Sequence, residues 1–560
     1  MLFSIALRII AIPHSNHDLV IFNLVWYDTL SQGIVRVLAT DFANYTPPYT
    51  YFLALATFTR NFIPPLTAIK LIPTFFDIFG AFLIYKIVQL KFGKSDIPLL
   101  AAAIYFTAPT VMINSSYWGQ ADSLYTSCLL ACLYLLMIEK PFPAMLAFGM
   151  SFTFKAQAIF FIPFLFVLTL RKRIHWLYFG LVPLVYLIAV SPVVLLGRPL
   201  LETLLIYTKQ SSTFNSLTMN APNLYYLLPR EWLAVIFPIG IAIAGLTTLY
   251  WSLATAKGKI ELGRTNLIFL AFISAALTPY LLPKMHDRYF YPADVFSIIL
   301  AFYMPSLWFI PILYQIISTT AIAGFLFNAS PTVISMAVLL NSITLAVILK
   351  KQRTLTNLNA TDHKTVSTLS WIAALLTPTI LLGFLLSFLL TPYFLRIAYA
   401  GSTDQIGVSK SERFHWASES LNYLANDKKP VYLSKLEFEN GRPVFNEHEI
   451  MVINSAKQIA QKIFTIARVS LLGLFILALL AWVGDWLPSF RRGIKRSGWL
   501  AIGLGILFGL VGIFAGMENT SLQNTDTLMR LFPIHVLQFA LLFIFISLAA
   551  GGILLVKTLE

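Results

Sequence analysis

Sixteen apolar runs, separated by charged or Pro/Gly-bearing segments, constrain this chain more than any other feature. They cover 1–12, 66–90, 97–113, 123–138, 142–154, 158–170, 176–196, 232–254, 266–283, 289–304, 307–327, 331–349, 368–394, 467–487, 498–516 and 534–556. In lipid every backbone N–H and C=O must be satisfied within the protein, which leaves helices or a closed barrel. Runs of about 17–25 residues have the length of helical spans. The chain is 58% hydrophobic and only 12% charged, against roughly 25% charged residues in soluble domains. The expectation is an all-α polytopic membrane protein.

The formal charge of +15 fits basic loops held on the cytoplasmic side of a membrane. With residue 1 inside, alternation collects Lys91, Lys94, Lys140, Arg171, Lys172, Arg173, Lys257, Lys259, Arg264, Lys350, Lys351, Arg353, Arg491, Arg492, Lys495 and Arg496 on that side. The other side keeps scattered single cations, among them Arg36, Arg60, Arg198, Lys209, Arg230, Lys284 and Arg288. A plasma-membrane location with membrane lipids as neighbours follows; nucleic acid is not an expected partner, because no basic, aromatic-studded soluble domain is present. Cys128 and Cys132, four residues apart, read as packing residues on one helix face. The first run is shorter than a span and lacks the charged start and cleavage site of a signal peptide, so the expected start of the chain lies upstream.

The organisation reads as a bundle over 1–350, a cytoplasmic linker over 351–367, and a four-span module over 368–560 with an extracytoplasmic insert at 396–465. Amphipathic helices lying along the membrane are expected at 19–39 and 49–60. Helices are expected within the insert near 411–425 and 447–465.

The polar outliers fall mostly on the expected outer side. They are Asp18; Asp41 with Tyr45 in the stretch to Pro48; Trp118, Gln120 and Asp122; Lys155 and Gln157; and Lys284, His286, Arg288 and Tyr289. Ionisable groups at membrane depth are costly and mark function by default. Five clusters at one depth point to a single cavity. Carboxylates with Lys, His and Arg suit deprotonation of a hydroxyl and stabilisation of an anionic leaving group. Phosphate is the obvious leaving group, and outside the cell an activated donor must be lipid-borne. Bland readings stand beside this one. Asp18 has the position of a helix N-cap, Asp41 that of a loop carboxylate, and Asp122 with Trp118 that of a cap and aromatic belt. Lys155 can snorkel, and Lys284, His286 and Arg288 can form an interfacial basic belt.

The first 350 residues or so resemble the GT-C glycosyltransferases, closest to bacterial mannosyltransferases related to the second mannosyltransferase of GPI-anchor synthesis. The resemblance rests on Arg8…Pro13-His-Ser-Asn-His-Asp18, Asn44-Tyr-Thr-Pro-Pro48, Asn114…Trp118-Gly-Gln-Ala-Asp122, Phe154-Lys-Ala-Gln157 and Lys284-Met-His-Asp-Arg-Tyr289. It implies an inverting hexosyltransferase using a polyprenyl-phosphate hexose, mannose favoured, with a glycan, lipid or lipoprotein acceptor. Asp18 takes the place of the catalytic base and Asp41 is its rival. Trp118, Gln120 and Asp122 would line the sugar or acceptor site, Lys155 would neutralise the lipid phosphate, and Lys284, His286 and Arg288 would bind phosphate. Asn220 and Asn223 are a further possible wall. No cofactor is expected; a carboxylate cluster could recruit Mg or Mn, but most single-sugar transferases of this type work without metal.

Residues 368–560 resemble Lit-type lipoprotein intramolecular transacylases through Leu395-Arg-Ile-Ala-Tyr399, Phe445-Asn-Glu-His-Glu-Ile450 through Lys457, and Asp526-Thr-Leu-Met-Arg-Leu-Phe-Pro533. Val452, Ile453 and Ser455 stand where that family carries His-Met and an Asp. This leaves acyl transfer, or a bifunctional envelope enzyme, as the alternative activity. A polyisoprenoid or lipid transporter is the third reading; it predicts polar residues through the full membrane depth.

Overall fold

The computed structural model describes residues 2–212, 215–356, 363–400, 409–426, 428–438, 441–517, 527, 531–532 and 534–558. Two compact units emerge, Met1–Leu358 and Asn359–Glu560. Ten helices among the described residues are long and apolar enough to cross a membrane. The pair Ile97–Thr107 and Pro109–Trp118, bent by 52°, makes an eleventh if it is one broken span. The protein is a multi-pass helical membrane protein.

In the first unit proline sets many helix starts. Pro47, Pro65, Pro109 and Pro141 each occupy the first helical position, where the missing N–H costs nothing and φ is already set. Pro109 also forces Ala108 to ψ 131, because a residue before proline is pushed out of the α region. That breaks the 97–118 span.

Five of the expected spans are short: Leu2–Ala11, Asp122–Met137, Pro141–Phe154, Ala156–Leu170 and Tyr291–Tyr303. The first has ten described residues and buries Arg8 within the unit. The other four reach roughly 20–24 Å at 1.5 Å per residue, short of a hydrocarbon layer of about 30 Å. They nevertheless join the same two ends as the long helices. At one end Arg264 donates to the Leu90 carbonyl, Lys91 to Phe302 and Tyr303, Arg171 to Gly258 and Ile260, and Arg173 pairs with Glu139. The opposite end holds most of the candidate site residues. Asp77 lies twelve residues into the helix Pro65–Phe92, about 18 Å along it, and still packs against Ser115 near the end of the broken span.

The expected surface helix 19–39 is instead a helix over Leu19–Ser31 and a separate short one over Ile34–Leu38, parted at Gly33. The expected helix 49–60 runs over Pro47–Thr57.

In the second unit the candidate spans are His363–Leu389, Glu447–Val483, Leu487–Val511 and His535–Lys557. The insert does not end near 465. A continuous 37-residue helix carries it into the membrane. Its start is a capping box, with the Asn446 side chain accepting from Glu449 N–H at 2.8 Å and Glu449 accepting from Asn446 N–H at 2.9 Å. The helix expected at 411–425 spans Lys410–Ala425 and is capped by Ser409. Leu395, Tyr399, Leu421, Tyr423, Val444, Phe445 and Ile453 form this unit's small polar-side core. The transacylase-like residues therefore have packing roles: Leu395 and Tyr399 in the core, Glu449 in the cap, and Lys457 donating to the Lys428 carbonyl while lying 3.9 Å from the Tyr423 ring. Asp526, Met529, Arg530 and Pro533, with Leu528, lie outside the described residues. So does the stretch 357–362 of the expected linker, whose first residues belong to the helix Pro331–Thr356.

Candidate functional site

Asp18 begins a helix but does not cap it. Its side chain makes no capping hydrogen bond. Asn16 takes that role, its side-chain oxygen accepting from Leu19 N–H at 3.0 Å. The Asp18 carboxylate turns instead to the broken span, accepting from Trp118 Nε1 at 3.2 Å and Gln120 Nε2 at 3.4 Å. These are long contacts, and Asp18 stays partly exposed. Two further bonds hold the segment in place. Asn16 donates to the Trp118 carbonyl at 2.9 Å, and the Lys70 ammonium donates to the carbonyls of Ile12 and His14 at 3.0 and 2.6 Å.

The turn opposite Asp18 depends on Gly119. Its φ of +80° is left-handed, and an added Cβ would sit 2.7 Å from Leu19 Cδ1 and 3.3 Å from Lys70 Cγ. Only glycine suits both demands. The turn points Trp118 and Gln120 at Asp18 and leads into the helix that opens with Asp122.

Asp122 is fully buried and heavily committed. Lys155 Nζ lies 2.5 Å from one carboxylate oxygen; the other accepts from Asn114 Nδ2 at 2.8 Å and lies 3.4 Å from Arg288 Nε. It is a counter-ion for two cations rather than a wall presented to a sugar. Lys155 sits at the extended residue between two helices, which lets its ammonium turn inward to lie 5.7 Å from the Tyr45 ring. Arg288 packs 4.9 Å from the Trp118 ring and 3.7 Å from Asp287. Trp118 has no exposed surface, so it supports the site from behind.

The 284–289 turn is anchored by strand-like pairing of Thr218–Met219 with Met285–His286 and by an isolated bridge from Asn220 to His286. The 220–223 wall thus lies against the turn, while Asn223 faces inward to the carbonyls of Pro279 and Leu282. Burial, then the nearby Arg288 and Lys155 charges, hold the His286 imidazole well below its usual pKa. The fold thus disfavours the charged imidazole expected beside Lys284 and Arg288. Burial lowers the Arg288 pKa, but Asp122 and Asp287 outweigh it and the net shift is upward. Burial lifts the Asp287 carboxyl to about 7, opposed by Arg288 and helped by Asp122 and Asp18. Burial also raises the Tyr289 hydroxyl.

Two expected members sit differently. Asp41 pairs with Arg198 and, at 2.8 Å, with Lys209, so two cations already claim the rival base. Lys284 shares the turn but sends its ammonium to 4.8 Å from the Phe237 ring. Of the five expected clusters, Asp18, Gln120, Asp122, Lys155 and Arg288 come together, while Asp41 and the Lys284 ammonium are engaged elsewhere. Cavities of about 240 and 670 Å³ lie elsewhere, and their linings carry no charged residue.

Sequence reasoning missed Asp77, Lys70 and Asp287's separate role. Asp77 accepts from Arg8 at 2.7 Å, Ser115 at 2.5 Å and Tyr291 at 3.3 Å. An ionisable residue inside a long apolar run was the signal that could have found both Asp77 and Lys70. Among the described residues no group of three or more His, Cys, Asp or Glu side chains gathers as a metal site.

No protein-family model, curated protein or solved structure matches this chain.

Proposed function

We propose that the first unit is an inverting glycosyltransferase that moves a hexose from a polyprenyl-phosphate donor to a hydroxyl of its acceptor. The observation that carries this reading is the convergence of Asp18, Gln120, Asp122, Lys155 and Arg288 from four distant segments into one cluster. Asp18 is the carboxylate with acceptor capacity to spare. It takes the proton as the acceptor oxygen attacks the anomeric carbon, and the phosphate leaves with the electron pair of the breaking C–O bond. Lys155 and Arg288 bring two positive charges against the one of Asp122, and Asp287 is about half ionised near pH 7. Once Asp18 has taken the proton, a positive surplus remains for the departing phosphate. The expected outer, plasma-membrane face is where a lipid-borne donor is the available source of activated sugar.

The test is in vitro transfer from a panel of polyprenyl-phosphate hexoses. Asp18→Asn should lower the rate by about 100-fold or more with an unchanged unfolding temperature. Full activity in that variant removes the base assignment; no transfer from any donor removes the reading itself.

A further inference from the structure

Beside Asp18 lies a group of rings that the proposed chemistry does not use. His14 meets Tyr117 at 5.5 Å between centroids with the rings tilted by 33°, Tyr117 meets Phe327 at 5.8 Å, and Trp118 stacks on Phe325 at 5.2 Å with planes 23° apart. They come from three separate segments: the loop after the first helix, the end of the broken span, and the end of the helix Ile310–Leu326. Trp118 is buried, but Phe325 is 42% and Phe327 59% exposed.

The surroundings of these rings are polar. His14 and His17 are exposed, Asn328 is exposed in a left-handed turn at φ 51°, and the Asn220 amide lies beside Gly324. Trp118, stacked on Phe325, also donates to Asp18, so the open rings are one side chain away from the carboxylate. Aromatic faces bordered by amides, imidazoles and a carboxylate match a pyranose, which has an apolar C–H face and a hydroxyl rim. A purely lipid-facing patch would not need that border.

We propose that His14, Tyr117, Phe325 and Phe327 form a saccharide-binding ledge, and that the acceptor is therefore a glycan whose terminal pyranose lies on Phe325 and Phe327 with a hydroxyl towards Asp18. The acceptor assignment rests on the transferase reading; the ledge itself can be tested without it.

The full chain in nanodiscs is titrated with methyl α-D-mannopyranoside and methyl β-D-glucopyranoside, with cyclohexanol as the apolar control, and saturation-transfer NMR reads the ring C–H protons. Saturation above the control is expected for the wild type. Binding about 30-fold weaker is expected in the Phe325→Ala/Phe327→Ala double variant, since each of the two ring contacts contributes on the order of 1 kcal/mol. Phe62→Ala, at a ring 87% exposed elsewhere, should bind as the wild type does. Equal binding in the double variant overturns the ledge and marks these rings as membrane-interface anchors. Saturation no greater than the control's overturns it as well. Sugar binding without transfer from any donor removes the transferase and leaves the ledge. Transfer with an unchanged acceptor KM in the double variant does the reverse.

Discussion

Two buried ionic networks lie close together in the first unit, and they are built differently. Around Asp77 both carboxylate oxygens are matched, one by Arg8 and Ser115 and the other by Tyr291; Arg8 also reaches Ser116 and the Phe106 carbonyl and lies 4.1 Å from the Phe106 ring, and its Nε alone is left without a hydrogen bond. Around Asp122 the ion pairs are close, but Asn114 Oδ1, Tyr125 Oη, Gln157 Oε1 and Asp287 Oδ1 are buried without a hydrogen bond. A carboxylate matched on both oxygens fixes geometry, and unmet buried polar atoms, more numerous around Asp122, cost free energy unless something else meets them. The difference separates a structural clamp, which holds the first helix to the broken span, from a site with spare capacity for a ligand.

The largest expected effect tests the clamp. Asp77→Ala leaves Arg8 buried without its counter-ion and should cost about 3–5 kcal/mol, seen as a lowered unfolding temperature or loss of folded protein. A stable, active Asp77→Ala protein would erase the contrast. Next, Arg288→Ala should reduce transfer by roughly 100-fold or more while costing less stability than Asp77→Ala. Equal stability losses would show that both networks are clamps. Gly119→Ala should cost about 1–3 kcal/mol, from left-handed strain and the clash with Leu19, and should raise the acceptor KM by displacing Trp118 from Asp18.

A pH series sharpens the comparison further. The Asp287 pKa is raised in the fold, so the folded protein holds that proton more tightly than the unfolded chain does. Its contribution to stability is greatest below the ordinary carboxylate range, falls as pH rises towards about 7, and is flat above. Ionised Asp287 also cancels positive charge beside Arg288, so transfer should decline above pH 7. Asp287→Asn should remove both trends, measured by unfolding and by rate across pH 5–9; a wild-type pH profile in that variant would exclude the role. The smallest effect sets the floor. Asp28 and Arg60 are about half exposed, and Asp28→Asn should change stability by about 0.5 kcal/mol or less.

Much of this was legible without coordinates, and the reasons are specific. Asp18, Trp118, Gln120, Asp122, Lys155 and Arg288 stood out because each is polar at the edge of an apolar run. Their edges coincide because neighbouring helices share two ends. The charge of His286 was not legible, because it depends on burial and on Arg288 and Lys155, none of which spacing reveals. Asp41 looked like a rival base until Arg198, 157 residues away, was found against it. Asp18 looked like a cap, and only the backbone showed that Asn16 fills that role.

The sequence by itself determined that the chain crosses a membrane many times as helices, because lipid leaves a backbone no other partner and the apolar runs have helical lengths. Proline and glycine positions fixed where several of those helices begin and break. Only the tertiary structure decided which polar residues are spent on one another and which keep capacity for a ligand. That depends on distances between segments a hundred residues apart, and on burial, which turns the same Asp, His or Lys into a clamp, a neutral group or a charge held ready.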